Sequence, residues 1–253
     1  MDDRSEIRDI TESFILQKMN EGFDPDTQIR EWAFEKATDE AFENDIDLSD
    51  DTLKKIADQA YAAAAKSRHA DMATWPKLTD CDRLDAAFTE LNAMGIMARH
   101  NWTCCSTCGN SQMSDEFRRL NGKIGKAPII GYVFYHQQDT ERAAQGSGLY
   151  LGFGSTLKPN SEAEFRERSV AIARTACDVL AKHGLKTIWD STFNQRPNVA
   201  LSWKRRGLPK DYVDSDGACN GGPQQSPPAP TPTRVQRPIE KLASYAITGV
   251  AVL

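Results

Sequence analysis

At 253 residues, with 40% hydrophobic and 26% charged side chains and a net charge of −5, the chain has the composition of a globular protein. It is long enough for one sizeable core and a smaller helical segment. No apolar stretch approaches the roughly 20 residues of a membrane-spanning helix, and the opening MDDRSEIRDITESF lacks the basic-then-apolar order of a signal peptide. The expected location is therefore the cytoplasm, where thiols stay reduced and clustered cysteines serve metal or redox chemistry rather than a disulfide framework.

Residues 1–72 are predicted to form an acidic helical segment. Residues 1–52 hold 17 acidic and 5 basic side chains, while the remainder carries a net +7. A helix is expected after the Asp24-Pro25 start signal, with Ile29, Trp32, Ala33, Phe34 and Ala37 on its apolar side through Phe42. Ser49 caps a second helix carrying Leu53, Ile56, Ala57, Ala60, Tyr61 and Ala64 at helical spacing. This acidic front is either a solvated helix surface or a face for a protein partner. Nucleic acid is not expected, because the best basic run, Trp203 to Lys210, is short and lies in no recognised binding motif.

A body domain is expected over residues 73–215. Thr79 and Asp82 form a capping-box pair ahead of a helix with Leu84, Ala87, Phe88, Leu91 and Met94 on one face, ended by Gly95. Strands are predicted over 96–103, 129–136, 148–154, 185–190 and 199–203, and a long helix starts at Asn160 or Ser161 and stops at His183-Gly184. Short links around 137–147 favour antiparallel neighbours. The predicted class is α+β, with a mixed, largely antiparallel sheet of about five strands and flanking helices. Residues 216–238 read as a Pro/Gly-rich linker, and 239–253 as a short apolar tail too short to enter a membrane as a span.

The chemistry-bearing signal is Cys104-Cys105-Ser106-Thr107-Cys108-Gly109, three of the six cysteines within five residues. A buried structural cysteine gains nothing from a neighbouring sulfur, whereas metal binding and disulfide exchange need sulfurs brought together. Cys105 to Gly109 has the form of a zinc knuckle, with the glycine permitting a tight turn. The remaining ligands would come from Cys104, His136, His100 or Cys81. In a strand, Cys104 and Cys105 point to opposite faces, so a three-sulfur site demands a turn at 104. A redox reading makes Cys105 the attacking thiolate and Cys108 the resolving thiol, with Trp102 just upstream. A third reading makes a cysteine the nucleophile, with His136 as base and Asp139 or Glu141 as orienter. Asp139 also fits a plain capping role for the turn that follows it. Cys177 reads as core, Cys219 as incidental, and His69 and His183 as helix-end residues.

The strings TWPKLTDCDRLDAAFTELNAMGIMARHNWTCCSTCG and GYVFYHQQDTERAAQGSGLYLGFGS, followed by the long helix and IWD, resemble a bacterial family known only as domain of unknown function 6891. The resemblance spans about residues 70–206. It implies a bacterial cytoplasmic protein in which the CCxxCG and HQQDTE strings share one domain, and it brings no activity, substrate or catalytic residue. From the residues, the leading expectation is a clustered-thiol site, Cys104, Cys105 and Cys108 with His136 as metal ligands or Cys105, Cys108, His136 and Asp139 as catalytic groups, holding zinc or cycling between thiol and disulfide. The alternative is a non-catalytic interaction module that meets a protein partner through residues 1–52.

Overall fold

The computed structural model describes residues 3–210, 212 and 213. The predicted linker, the apolar tail and Cys219 lie outside the described residues. Among the described residues seven helices and eight short strands form an α+β fold: α1 (Asp3–Glu21), α2 (Asp26–Glu43), α3 (Asp50–Met72), α4 (Asp80–Ala93), β1 (Ile96–Arg99), α5 (Ser106–Arg119), β2 (Lys123–Ile124), β3 (Ala127–Pro128), β4 (Gly131–Phe134), α6 (Gln137–Ala144), β5 (Leu149–Tyr150), β6 (Gly152–Ser155), α7 (Glu162–Lys182), β7 (Lys186–Ile188) and β8 (Asn198–Ala200). None of these helices is long and apolar enough to cross a membrane.

The strands divide among three small sheets, β1-β4-β6, β2-β3 and β5-β8-β7. Only β1 and β4 run parallel; every other pair is antiparallel. Strands of two to four residues carry few ladder hydrogen bonds, so packing holds them in place. Ile96, Ala98 and Val133 face α4 and α7 in a core with Leu84, Phe88, Leu91, Ala176 and Leu180. Gly131 lets α7 approach, since a Cβ there would lie 2.5 Å from Ile172. The opposite face carries Met97 and Phe134, which pack with Trp102, Met113 and Ile129 beneath α5. The alternation of side chains along a strand thus gives β1 and β4 a separate core on each face.

Helices α1, α2 and α3 bury a third core. In α2 the buried stripe is Ile29, Ala33, Ala37 and Ala41. That strict four-residue step leaves Phe34 and Phe42 one position round the helix, and Phe42 is 84% exposed, contrary to the broader apolar side expected from sequence. The alanines permit close approach between helices. Helix α1 also reaches α6, where Lys18 bonds both Glu21 and Glu141.

Arg205, 1% exposed, joins these parts. Its guanidinium pairs with Asp85 of α4 at 2.7 and 3.1 Å and lies over the rings of Phe23 and Trp203. Its carbonyl accepts from Arg68 of α3. Gly22, with φ +80°, leaves room for the Arg205 stem, because a Cβ would fall 2.8 Å from its Cγ. Beside this pair His100 stacks on Phe88, and its Nδ1 lies 2.9 Å from the Tyr135 hydroxyl.

Two outcomes follow from this buried network. Arg205→Met keeps an apolar stem but removes the guanidinium partner of Asp85, and the expected loss is about 3 kcal/mol, read as a lower urea midpoint. Burial, followed by the nearby Arg205 and Arg99, holds the His100 pKa well below its usual value. The folded protein therefore keeps His100 neutral while the unfolded chain takes up a proton below about pH 6.5, so stability falls as pH drops through that value. Urea unfolding between pH 8 and pH 5 should show this decline, and His100→Gln should flatten it.

Candidate functional site

The strand predicted over 96–103 ends at Arg99, and residues 100–105 form an irregular loop. Asn101 and Thr103 adopt left-handed backbone angles, φ 48° and 60°. For a β-branched residue that conformation costs roughly 1–3 kcal/mol. The loop holds it by fixing its neighbours. Trp102 is buried and its backbone N–H donates to the Tyr135 carbonyl at 2.7 Å, while the N–H of Gln137 donates to the Thr103 carbonyl at 3.0 Å. Thr140 Oγ1 donates to Asn101 Oδ1 at 2.7 Å. The kink at Thr103 is the turn that a three-sulfur site requires just before Cys104.

Helix α5 then begins, with Cys105 at its N-cap and Cys108 in its first turn. Two contacts fix the helix on the sheet. Arg99, at the end of β1, bonds Glu116 through Nε and Nη2 at 3.1 and 2.6 Å, both side chains being buried. Although burial pushes the Glu116 carboxyl up, Arg119 and Arg99 hold it below its usual range. Gly109 lies directly on Phe134, and a Cβ there would fall 2.4 Å from Cε2 of that ring. The glycine after Cys108 thus serves close helix–sheet packing; it is not among the residues with positive φ and makes no turn.

The Sγ atoms of Cys104, Cys105 and Cys108 consequently lie within 4.8 Å of one another. Cys104 is exposed and the other two are half-buried. At the helix start, Cys105 accepts from the backbone N–H of Cys108, which with the neighbouring thiols lowers its pKa. Cys108 is pushed up to about 11 by the thiols of Cys104 and Cys105. Around a zinc ion with bonds near 2.3 Å, tetrahedral sulfurs stand roughly 3.8 Å apart, so the cluster needs little rearrangement to close on a metal.

His136 and Asp139 stand beside this cluster rather than in it. His136 is the N-cap of α6; its Nδ1 accepts from the Asp139 N–H at 3.3 Å, and its own N–H donates to Asp139 Oδ2 at 3.2 Å, forming a capping box. With Nδ1 accepting, the neutral ring carries its proton on Nε2, which lies 2.8 Å from Ser106 Oγ and 3.0 Å from Asp139 Oδ2. Burial lowers the His136 pKa, partly offset by Asp139. Asp139 is fully buried and accepts from Arg196 Nη2, while its Oδ1 has no partner. Glu141 turns away to Lys18. Cys81 is buried, accepts from the Lys204 N–H at 3.3 Å and has its thiol pushed up to about 11 by burial; it and His100 sit in the core under α4.

Two residues of this site escaped the sequence reading. Ser106 lies inside the cysteine string, and its 2.8 Å contact with His136 Nε2 joins positions thirty residues apart. Arg196 comes from the segment before β8, and its Nη1 lies 3.5 Å from both Ser106 Oγ and His136 Nε2. Nothing local in the sequence links it to positions 106 and 136. A packing test of the whole arrangement is Gly109→Ala. Phe134 is already wedged against Gly152, so the added methyl should cost about 1–3 kcal/mol. Unchanged stability on chemical denaturation would contradict the close seating of α5.

Neither a curated protein nor a solved structure matches the chain. The profile of one family, described as a domain of unknown function (DUF6891), matches residues 4–207. The match takes in α1 to α3 as well as the body with the CCxxCG and HQQDTE strings. The chain therefore belongs to the DUF6891 family.

Proposed function

We propose that the working centre of this protein is a thiolate site, Cys104, Cys105 and Cys108, that binds a thiophilic metal ion, zinc foremost. The observation that carries this reading is the convergence of three sulfurs through a strained backbone kink at Thr103. Thiol–disulfide exchange needs two sulfurs; bringing in the third from the neighbouring loop position serves a shared ligand better than it serves exchange. Soft thiolates suit zinc and copper(I) among biological metals. Structural zinc sites are closed by four protein ligands, whereas functional sites keep a position open. Three sulfurs with Cys104 facing solvent fit the second pattern. Ser106, which follows Cys105 in the chain, bonds His136 at 2.8 Å and lies 3.5 Å from Arg196, so a polar set borders the cysteine string.

A dithiol redox role is the second reading, favoured by the contrast between Cys105, lowered at a helix start, and Cys108, raised to about 11. The deciding measurement is metal content by mass spectrometry on untagged protein purified anaerobically, paired with alkylation mapping. The metal reading expects about one zinc per chain, with Cys105 and Cys108 protected and the ion lost in a Cys105→Ser, Cys108→Ser double variant. Metal-free protein that readily forms a Cys105–Cys108 disulfide would replace it with the redox reading.

A further inference from the structure

We infer that the three-thiol centre is matched to a trivalent metalloid of the arsenite class, which takes three sulfur ligands and no fourth. The inference rests on the thiolate reading above and names the class of ligand the geometry completes. The ligand count comes first. Among the described residues the group that can share one ion is Cys104, Cys105 and Cys108 alone. The imidazole that could have supplied a fourth ligand, His136, has Nδ1 engaged by the Asp139 N–H and Nε2 by Ser106 and Asp139. Asp139 is held by Arg196 and by the cap of α6. Recruiting His136 would break the cap at the start of α6, and neither side chain belongs to the group whose ligand atoms lie together. For a tetrahedral ion the protein set is therefore one short, whereas for a pyramidal ion with a lone pair it is complete.

Placement is the second consideration. All three sulfurs come from one loop and one helical turn, so they approach an ion from one side and leave its other face open. That is the arrangement a pyramidal three-sulfur complex needs, with the lone pair directed away from the ligands. Cys104 is exposed, so the ion can reach the cluster without the fold opening.

The loading step balances without any redox partner. In arsenous acid three As–O bonds break and three As–S bonds form. Each thiol proton leaves with one hydroxyl as water, and arsenic stays trivalent throughout. Phenylarsine oxide, by contrast, has only two positions to exchange for sulfur and serves as a two-thiol reference.

The test uses the reduced full chain, titrated separately with arsenite, phenylarsine oxide and zinc, and read by intact mass and by alkylation of the remaining thiols. One arsenic per chain, with Cys104, Cys105 and Cys108 all protected, is expected. Because the third thiol binds within an already tethered complex, Cys104→Ser should weaken arsenite binding roughly tenfold or more while leaving phenylarsine oxide binding nearly unchanged. Cys177→Ser should alter neither. Arsenite that protects two thiols and ignores Cys104→Ser would overturn the inference. Zinc bound through the three cysteines, with arsenite unable to displace it, would also overturn it while leaving the proposed metal function intact. Arsenite binding without zinc binding would support the inference and remove zinc from the proposal. Failure of both ligands to protect the cluster would end both.

Discussion

A guanidinium buried as deeply as Arg205 must find its counter-charge inside the fold, because an unpaired ion there would cost several kcal/mol. It finds Asp85 on α4, and meeting that requirement fixes much else. The chain after β8 has to return across the body so that Arg205 lies against the rings of Phe23 and Trp203. The α1–α2 turn has to be made of Gly22, since any side chain would collide with the arginine stem. Arg68 on α3 then bonds the Arg205 carbonyl. One ion pair therefore sets the seating of the N-terminal helices, the register of the returning segment and the surroundings of Tyr135, whose backbone in turn anchors the thiol loop through Trp102.

The thiol cluster depends on a second constraint of the same kind. Phe134 is pressed between Gly109 on α5 and Gly152 on β6. Both glycines are there for contact, and the Arg99–Glu116 pair locks the helix in its last turn. With α5 held at two points, its first turn cannot drift, and the loop before it has to reach that turn within six residues. The left-handed Asn101 and Thr103 are how it does so. Two left-handed residues, the buried Arg99–Glu116 pair and the Gly109 contact all border Cys104 to Cys108, and departures from local preference are common at functional sites.

Much of the frame was legible. The Thr79–Asp82 capping box and the Gly95 and Gly184 stops stand in the structure where the sequence places them, and of the two helix starts offered, Asn160 or Ser161, the cap is Ser161. The α+β class follows from alternating helix and strand periods. What was not legible is long-range. The strand reading ran to Thr103 because apolar and β-branched residues continue there, but Trp102 turns into the core under α5 and ends the regular run at Arg99. Gly109 read as a turn residue because its partner, Phe134, lies twenty-five positions away. Asp139 offered both a cap and an orienter by sequence; the structure displays the cap, with Arg196 as a partner that no local pattern could have supplied.

The scaffold of the thiol centre is drawn from β1, β4, the start of α6 and the segment before β8, and β1 and β4 carry a hydrophobic core on each face. Small metal-dependent domains work the other way round, folding only because the ion gathers the ligands. Here the three thiols sit on a loop and helix that are tied down by the Arg99–Glu116 pair and the Phe134 packing. A chain emerging during synthesis would carry its three thiols for some time before residues 134–140 and 196 arrive to shape them. The centre is thus a late product of folding.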